Sequence, residues 1–205
     1  MNTLHLLRRM ASERAAGPSP SFTDLHLAKA VEVIGEKPIG RAGLSEKLQL
    51  GEGATRTLID RLQTERLIKV SKVGCELTKN GLSILKDLKS RFPKKLKVPT
   101  SSITVGAHNF GILVRNAASK VTNGIEQRDS AVRAGASGAV TLIFQQGRLF
   151  MPPPTKIESK EWPEISRQLL ELFQPEKNDV IIIGGAATEE KAEQGARAAS
   201  WTLAD

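Results

Sequence analysis

Residues 44–67, LSEKLQLGEGATRTLIDRLQTERL, constrain the fold most, because they predict two helices around a tight turn. The first helix spans residues 44–48, and the second starts near Ala54. Between them lie Gly51 and Gly53, which can take a positive φ without a Cβ clash. The apolar residues of the second helix recur at three- and four-residue intervals, so they form one buried stripe. They are Ala54, Leu58, Ile59 and Leu62.

The residues that follow extend this pattern. Residues 67–70 alternate apolar and polar side chains as a strand does, Val73 and Gly74 can turn the chain, and residues 75–77 can return as the partner strand. Thr78 is a suitable N-cap for a further helix over residues 80–91. The order helix, turn, helix, hairpin, helix resembles the winged-helix transcription regulators of bacteria and archaea over residues 22–92. The resemblance implies that the second helix of the helix-turn-helix enters the DNA major groove.

The DNA-contacting residues expected from this resemblance lie on the two helices and on the hairpin, or wing. Arg56 and Thr57 occupy the first turn of the second helix, whose N-terminal residues usually contact base edges. Arg61 lies one turn further, and Lys72 lies in the wing. The full predicted set is Arg41, Ser45, Thr55, Arg56, Thr57, Arg61, Lys69 and Lys72.

The distribution of charge supports a polyanionic partner for the same half of the chain. The net charge is +8 over 205 residues. Residues 1–98 hold 19 Lys and Arg against 10 Asp and Glu, whereas residues 99–205 hold 11 against 12. The excess positive charge therefore lies in the half that holds the helix-turn-helix, and double-stranded DNA is the expected partner.

Composition excludes several classes of protein. No apolar run approaches the length of a membrane span. The single cysteine excludes an internal disulfide and a multi-cysteine zinc site, which is typical of a cytoplasmic protein. The three histidines are far apart and show no metal-ligand spacing. No metal and no cofactor are expected.

The rest of the chain completes an α+β protein of two domains. Residues 1–16 predict an amphipathic helix that packs on the winged helix or on a second subunit, and a transit peptide is the alternative. Residues 1–20 then form an N-terminal helix and linker, 21–93 the winged-helix domain, 94–100 a basic linker, and 101–205 a small α/β domain of about five strands. The predicted strands of that domain are 102–105, 110–115, 139–144, 148–151 and 179–183, with helices over 125–134, 159–173 and 189–203. Residues 110–115 also fit the start of a helix.

The sequence contains no recognisable catalytic set, so we do not expect an enzyme. No serine lies in a G-x-S-x-G pattern, and His108 is expected to be structural. The sequence VIIIGGAA, residues 180–187, precedes a helix but matches no phosphate-binding fingerprint. Glu189 and Glu190 would also repel a phosphate at that helix. We interpret the two glycines as a tight turn from strand to helix.

A charged pair in the second half suggests a ligand site. Ile125 and Val132 are seven residues apart on a predicted helix and are expected to face the core, with Arg128 and Asp129 beside them. Charges near a core must be paired or bound to something. Two interpretations are open: an internal ion pair, or a clamp for a small anionic effector formed by Arg128, Asp129 and Arg115.

These patterns predict a DNA-binding transcription regulator whose second domain senses a small molecule or mediates dimerisation. A single recognition helix reads few base pairs, so we expect a homodimer. The alternatives are an enzyme with catalysis in the second domain and an accessory winged helix, or a winged helix that serves RNA or protein assembly.

Overall fold

The structure, a computed structural model, describes residues 2–12, 21–152 and 162–204. The chain divides into two compact units, Met1–Lys89 and Ser90–Asp205. The predicted α+β class is confirmed, because helices dominate the first unit and a five-stranded antiparallel sheet with helices forms the second.

The N-terminal unit has the predicted winged-helix order. Its helices are α1 (Thr3–Ser12), α2 (Asp24–Glu36), α3 (Arg41–Leu48), α4 (Glu52–Thr64) and α5 (Lys79–Arg91), and its strands are β1 (Ile68–Ser71) and β2 (Gly74–Leu77). The boundary between the two units falls in the last turn of α5. β1 and β2 pair antiparallel, and Ile39 forms an isolated bridge with Cys75 on the other edge of β2.

Local capping explains where two of these helices begin. The backbone N–H of Thr23 donates to Nδ1 of His26 at 3.1 Å, which fixes the start of α2. The hydroxyl oxygen of Thr78 accepts from the backbone N–H of Gly81 at 3.2 Å, so Thr78 is the predicted N-cap of α5.

The turn between α3 and α4 differs from the prediction. Gln49, not a glycine, takes the left-handed conformation with φ of 56°, and its N–H caps α3. Gly51 has φ of −63° and is the N-cap of α4, while Gly53 lies inside the helix. The turn occupies only three residues, 49–51, so α4 starts earlier than expected, at Glu52. Helix α3 also starts earlier than expected, at Arg41, with Gly40 as its N-cap.

Helix α1 belongs to the core of the N-terminal unit. Leu4, Leu7 and Met10 are buried as the predicted amphipathic pattern requires, and Leu6 is buried as well. The guanidinium of Arg61 donates to the backbone oxygen of Met10, and Arg9 pairs with Glu65 at 2.7 Å. These contacts confirm that α1 packs on the winged helix. Residues 13–16 of the predicted helix lie outside the described residues.

The described residues of the C-terminal unit form a five-stranded sheet with three α-helices. The strands are β3 (Lys95–Val98), β4 (His108–Val114), β5 (Gly138–Gln145), β6 (Arg148–Phe150) and β7 (Val180–Ala186), in the order β3-β4-β7-β5-β6, with every pair antiparallel. The helices are α6 (Ile125–Arg133), α7 (Pro163–Phe173) and α8 (Glu189–Trp201), and a short 3-10 helix spans Ala118–Lys120. Residues 159–161 of the helix predicted over 159–173 lie outside the described residues.

The two faces of this sheet bury different helices. Leu113, Leu142 and Ile181 lie on the face that packs with Leu169 and Phe173 of α7. The other face packs against α8 through β7, β4 and β5, and α6 packs on β5 and α8. The central strand β7 is buried along its whole length, as its apolar run predicts.

The first strands of the second unit differ from the sequence expectation. The expected linker over residues 94–100 contains β3, which pairs with β4 from Lys95↔Ile112 to Val98↔Asn109. Residues 101–104 form a turn, in which the N–H of Thr104 donates to the backbone oxygen of Ser101 and the N–H of Ser101 donates to Oγ1 of Thr104. The expected strand over 102–105 is absent. The strand interpretation of 110–115 is confirmed by β4, whose partners are β3 and β7.

Gly184 and Gly185 do not form a turn, as the sequence analysis supposed, but continue β7. A Cβ on Gly184 would lie 2.5 Å from the backbone nitrogen of Ala196 and 2.6 Å from the backbone oxygen of Ala192, both in α8. A Cβ on Gly185 would lie 2.7 Å from the backbone nitrogen of Gly106. The glycines therefore permit close approach of α8 and of the residue 106 backbone to the sheet.

Helix α6 buries a different face from the one predicted. Ile125 and Val132 are 44% and 49% exposed, whereas Gln127 and Ala131 are buried. The amide of Gln127 donates to Oγ1 of Thr202 at 2.7 Å, and a Cβ on Gly195 of α8 would lie 3.4 Å from Cβ of Ala131. Small residues thus let α6 approach α8 closely, and the two large apolar side chains turn outward.

Candidate functional site

The solvent-facing side of α4 is the candidate DNA-reading surface. Arg56 is exposed in its second turn and has no hydrogen bond or ion pair with any residue that the structure describes. Thr57 is half-buried and donates its hydroxyl to the backbone oxygen of Gly53 at 3.1 Å. Nothing lies within 4 Å of a Cβ placed on Gly51 or Gly53, so the start of α4 is open to a large partner.

The wing offers two cations at its exposed end. Lys72 lies in the turn between β1 and β2, and Lys69 lies on β1, where it pairs with Glu76 at 3.1 Å. Both lysine side chains are exposed. The apolar side chains of Val70, between the two lysines, and Val73, after Lys72, are exposed as well. Such a hairpin can place Lys72 on a phosphate without requiring any base contact.

Helix α3 contributes one accessible residue from the predicted set. Arg41 begins α3 and is exposed. Ser45 is half-buried, and its hydroxyl donates to the backbone oxygen of Leu50 at 2.5 Å, which supports the turn into α4. The structure therefore gives Ser45 an intramolecular role.

Two predicted DNA contacts are internal in this fold. Thr55 is fully buried, and its hydroxyl donates to the backbone oxygen of Gly51, so it replaces Ala54 in the buried stripe. Arg61 donates to the backbone oxygens of Met10 and Ala11, and its guanidinium carbon lies 5.1 Å from the centre of the Phe22 ring. Helical spacing alone could not show this, because α1 and Phe22 are distant in the sequence.

Of the three predicted ligand residues, Arg128 and Asp129 pair with each other, and Arg115 has other partners. Arg115 pairs with Asp179 at 2.6 Å and with Glu176 at 3.1 Å. The side chain of Asp179 is only 2% exposed and also accepts from the backbone N–H groups of Asn116 and Glu176. Arg115 is therefore the structural partner of a buried carboxylate. The Arg128 guanidinium donates Nε and Nη2 to Oδ1 of Asp129, and both side chains are about half exposed.

A cavity of about 500 Å³ in the C-terminal unit includes Arg128 in its lining. It lies beside the first residues of β5 and the start of α6. A Cβ on Gly138 would lie 3.9 Å from Cγ of Arg128, which places the stem of that side chain against β5. The lining residues are Ser102, Ile103, Asn123, Gly124, Ile125, Arg128, Ala139, Val140, Thr141, Met151, Pro152 and Trp162.

Sequence reasoning named Arg128 but missed Thr141 and Trp162 in the lining of this cavity. Thr141 is the one hydroxyl residue in the apolar run 139–144, and Trp162 precedes the proline that starts α7. A buried hydroxyl or indole N–H normally has a partner, so each residue type could have drawn attention. Their meeting in one cavity depends on contacts between β5 and the start of α7 that the local sequence does not encode.

Known proteins match both halves of the chain. A model of the CggR N-terminal DNA binding domain matches residues 28–92, and a model of a domain of unknown function, DUF4443, matches residues 105–203. The solved structure of a hypothetical protein from Pyrococcus horikoshii OT3 has a TM-score of 0.67 and 30% sequence identity, covering 86% of this chain and 91% of that chain. The chain belongs to the family of that protein. No curated protein matches the sequence.

The match over residues 28–92 covers α2 to α5 and the wing. The N-terminal unit is thus a winged-helix DNA-binding domain of the transcription-regulator type. The residues matched by the second model run from just before β4 to the end of α8. This match places the cavity in a domain whose function is unknown.

Membrane-spanning helices, metal-ligand clusters and the cysteine bear on functions other than DNA binding. Over residues 2–12, 21–152 and 162–204, no helix has the length and apolar character needed to cross a membrane, and no three His, Cys, Asp or Glu side chains cluster as metal ligands would. Burial raises the pKa of the Cys75 thiol, so that cysteine remains a neutral packing residue of the wing.

Proposed function

We propose that the protein is a cytoplasmic transcription regulator that binds double-stranded DNA through α4 and the wing. The observation that carries this proposal is the match of a DNA-binding domain model to a winged helix whose α4 presents Arg56 to solvent. The basic charge of residues 1–98 supports it, because phosphate contacts by Lys and Arg supply most of the affinity for DNA.

We further propose that the C-terminal unit regulates this binding, by pairing two copies of the chain and by binding a small molecule. The support for pairing is general: one recognition helix reads few base pairs, and two-fold symmetry doubles the site. The support for ligand binding is the cavity beside Arg128.

Salt dependence tests the DNA-binding proposal on the full chain. The apparent association constant for a mixed-sequence duplex should fall linearly on a log–log plot against salt, with a slope of about −0.9 for each phosphate neutralised. Fluorescence anisotropy of a labelled duplex measures it. Absence of binding at low salt would contradict the regulator proposal.

The competing interpretation, an enzyme, makes a different prediction. An enzyme would convert a molecule bound in the C-terminal unit, whereas a regulator would release it unchanged. Mass spectrometry of a bound molecule after prolonged incubation with the protein distinguishes the two outcomes. We propose that the molecule is recovered unchanged.

A further inference from the structure

Helix α6 carries an apolar row on its solvent side. Ile125 and Val132 are seven residues apart, so they lie on one face of the helix, and they are 44% and 49% exposed. Val105, which is 46% exposed, lies beside this row, since a Cβ on Gly138 would be 3.5 Å from Cγ2 of Val105 and 3.9 Å from Cγ of Arg128. Single exposed apolar side chains are common on proteins, but neighbouring ones indicate an interaction surface.

Two charged side chains flank this row on opposite sides. Arg128 and Asp129 come three and four residues after Ile125, and helical spacing places one of them on each side of the row. The guanidinium of Arg128 donates Nε and Nη2 to Oδ1 of Asp129. Among the described residues, Nη1 of Arg128 and Oδ2 of Asp129 make no hydrogen bond. The face therefore holds one unused donor and one unused acceptor beside its apolar row.

A surface with its own donor and its own acceptor is complementary to a second copy of itself. In a two-fold symmetric pair the same patch contributes from both chains, so each group must find its complement on an identical surface. The apolar row can bury against the apolar row of the partner subunit, and Arg128 can donate to Asp129 of the partner subunit. An unrelated partner would have to supply both charges at this spacing, whereas a second copy supplies them by symmetry.

The position of the two charges selects the direction in which the helices pair. A two-fold axis perpendicular to α6 gives an antiparallel pair and carries each side of the row onto itself, so Arg128 would face Arg128 of the partner subunit. A two-fold axis along α6 gives a parallel pair and exchanges the two sides, so Arg128 faces Asp129 of the partner subunit. Like charges that face each other across an interface are unfavourable, so the parallel pair is the complementary one.

We propose that two copies of the chain meet through α6, with the two helices side by side and parallel. Ile125 packs on Ile125 of the partner subunit, Val132 packs on Val132 of the partner subunit, and Arg128 donates to Asp129 of the partner subunit. This contact rests on the pairing of two chains proposed above, and its surface and direction go beyond that proposal.

Cysteine variants of the full chain test the direction. Cys75, the only native cysteine, is 2% exposed, so the wild type serves as background and as a control without cross-links. Under mild oxidation, Ile125→Cys and Val132→Cys should each form disulfide-linked dimers on non-reducing gels, because in a parallel pair each position meets itself. Leu172→Cys, on α7 and 36% exposed, is the matched control and should remain monomeric on the same gels.

Charge variants test the ion pair across the two-fold axis. Asp129→Arg places cations on both sides of the row, so it should weaken the dimer about tenfold or more in sedimentation equilibrium. Exchange of the two charges, Arg128→Asp with Asp129→Arg, restores opposite charges across the contact and should recover most of that loss. Glu171→Arg changes the net charge by the same amount at an exposed position of α7 and should leave the dimer Kd unchanged.

The fold itself should tolerate these charge variants. Arg128 and Asp129 are about half exposed, and an exposed ion pair contributes little to stability, so the Tm should change little. A weaker dimer with an unchanged Tm therefore reports on the contact and not on unfolding.

The outcomes separate this surface from the proposed function. A dimer whose Kd is unaffected by Asp129→Arg, with no linkage at residues 125 or 132, would overturn the α6 contact and leave the pairing of two chains intact. Linkage only when Ile125→Cys and Val132→Cys are mixed would overturn the parallel direction. A wild type that remains monomeric at tens of micromolar would overturn the pairing and this contact together, while anisotropy with a labelled duplex measures DNA binding independently.

Discussion

At the scale of single residues, His26 couples the start of the winged helix to pH. Its Nδ1 accepts from the backbone N–H of Thr23 at 3.1 Å and lies 3.0 Å from the Thr23 hydroxyl. Burial lowers the pKa of His26 below its ordinary value of 6.5, Lys29 lowers it further, and Asp24 opposes the shift. The folded state therefore holds the imidazole neutral, with Nδ1 available as an acceptor.

This depressed pKa predicts a loss of stability in mild acid. Between the two pKa values the unfolded chain binds more protons than the folded chain, so unfolding is favoured as pH falls. The contribution of His26 is fully present above pH 6.5 and is lost progressively as the pH falls towards the lower, folded-state pKa. Thermal unfolding of the full chain followed by circular dichroism, between pH 8 and pH 5, measures the effect.

A conservative variant isolates the histidine from other titrating groups. Glutamine at the third helical position can accept from the N-cap backbone N–H in the same way and does not titrate. His26→Gln should therefore show a shallower decrease of Tm with falling pH, with a similar Tm at pH 8. His26→Ala should lose roughly 0.5–2 kcal/mol at pH 8, because the capping interaction is removed. Parallel pH profiles for wild type and His26→Gln would refute the assignment.

At the scale of elements, local signals were sufficient for most helices and strands. Thr78 before α5 and the alternating residues of the wing each predict the observed element, because caps, turns and alternation are local properties. Which face of a short helix is buried cannot be predicted from local sequence alone. On α6 only Ile125 and Val132 are large and apolar, and the packing of Ala131 near Gly195 decided the orientation instead.

The candidate sites also combine features that the local sequence predicts with features that depend on contacts between distant segments. The position of α4 and of the wing follows from the sequence, and Arg56 and Lys72 remain accessible as predicted from helical and hairpin geometry. The burial of Thr55 and the contacts of Arg61 with α1 depend on partners remote in sequence. Similarly, the Arg115–Asp179 pair and the cavity at Thr141 arise only when β4, β5 and β7 are assembled.

Separate roles for α4 and the wing lead to a prediction about base specificity. Arg56 on α4 is expected to contact a base edge, and Lys72 at the wing turn a phosphate. A bidentate arginine–guanine contact carries roughly 1–3 kcal/mol of discrimination. Arg56→Ala should therefore reduce the ratio of specific to random-sequence affinity by about 5- to 150-fold, whereas Lys72→Ala should weaken both sequences alike and reduce the salt slope by about one.

Selection from a random duplex library, followed by anisotropy titrations of the selected and a scrambled duplex, measures these effects. Arg61→Ala is the matched control on the same helix, because Arg61 is held by Met10 and Ala11. It should lower Tm and leave the specificity ratio of the folded protein unchanged. Equal losses on both duplexes for Arg56→Ala would show that this arginine does not read a base.

At the scale of the whole molecule, the burial of one face of α1 reduces the number of surfaces through which two chains can pair. The amphipathic face of α1 was one surface expected to join subunits. In the structure Leu4, Leu7 and Met10 are all buried within the N-terminal unit, so that face is already occupied. The C-terminal unit is the remaining proposed source of the dimer contacts.

The predicted homodimer makes the DNA site two-fold symmetric. One α4 reads only a few base pairs, so a regulator with useful specificity should bind two half-sites about 10 base pairs apart, centre to centre. Light scattering of the full chain at tens of micromolar should give twice the mass of one chain. A duplex with both half-sites should bind one dimer much more tightly than a duplex in which one half-site is scrambled, because the second contact is then intramolecular. A monomer mass, together with equal affinity for the two duplexes, would contradict the dimer and would leave α4 acting as a single reader.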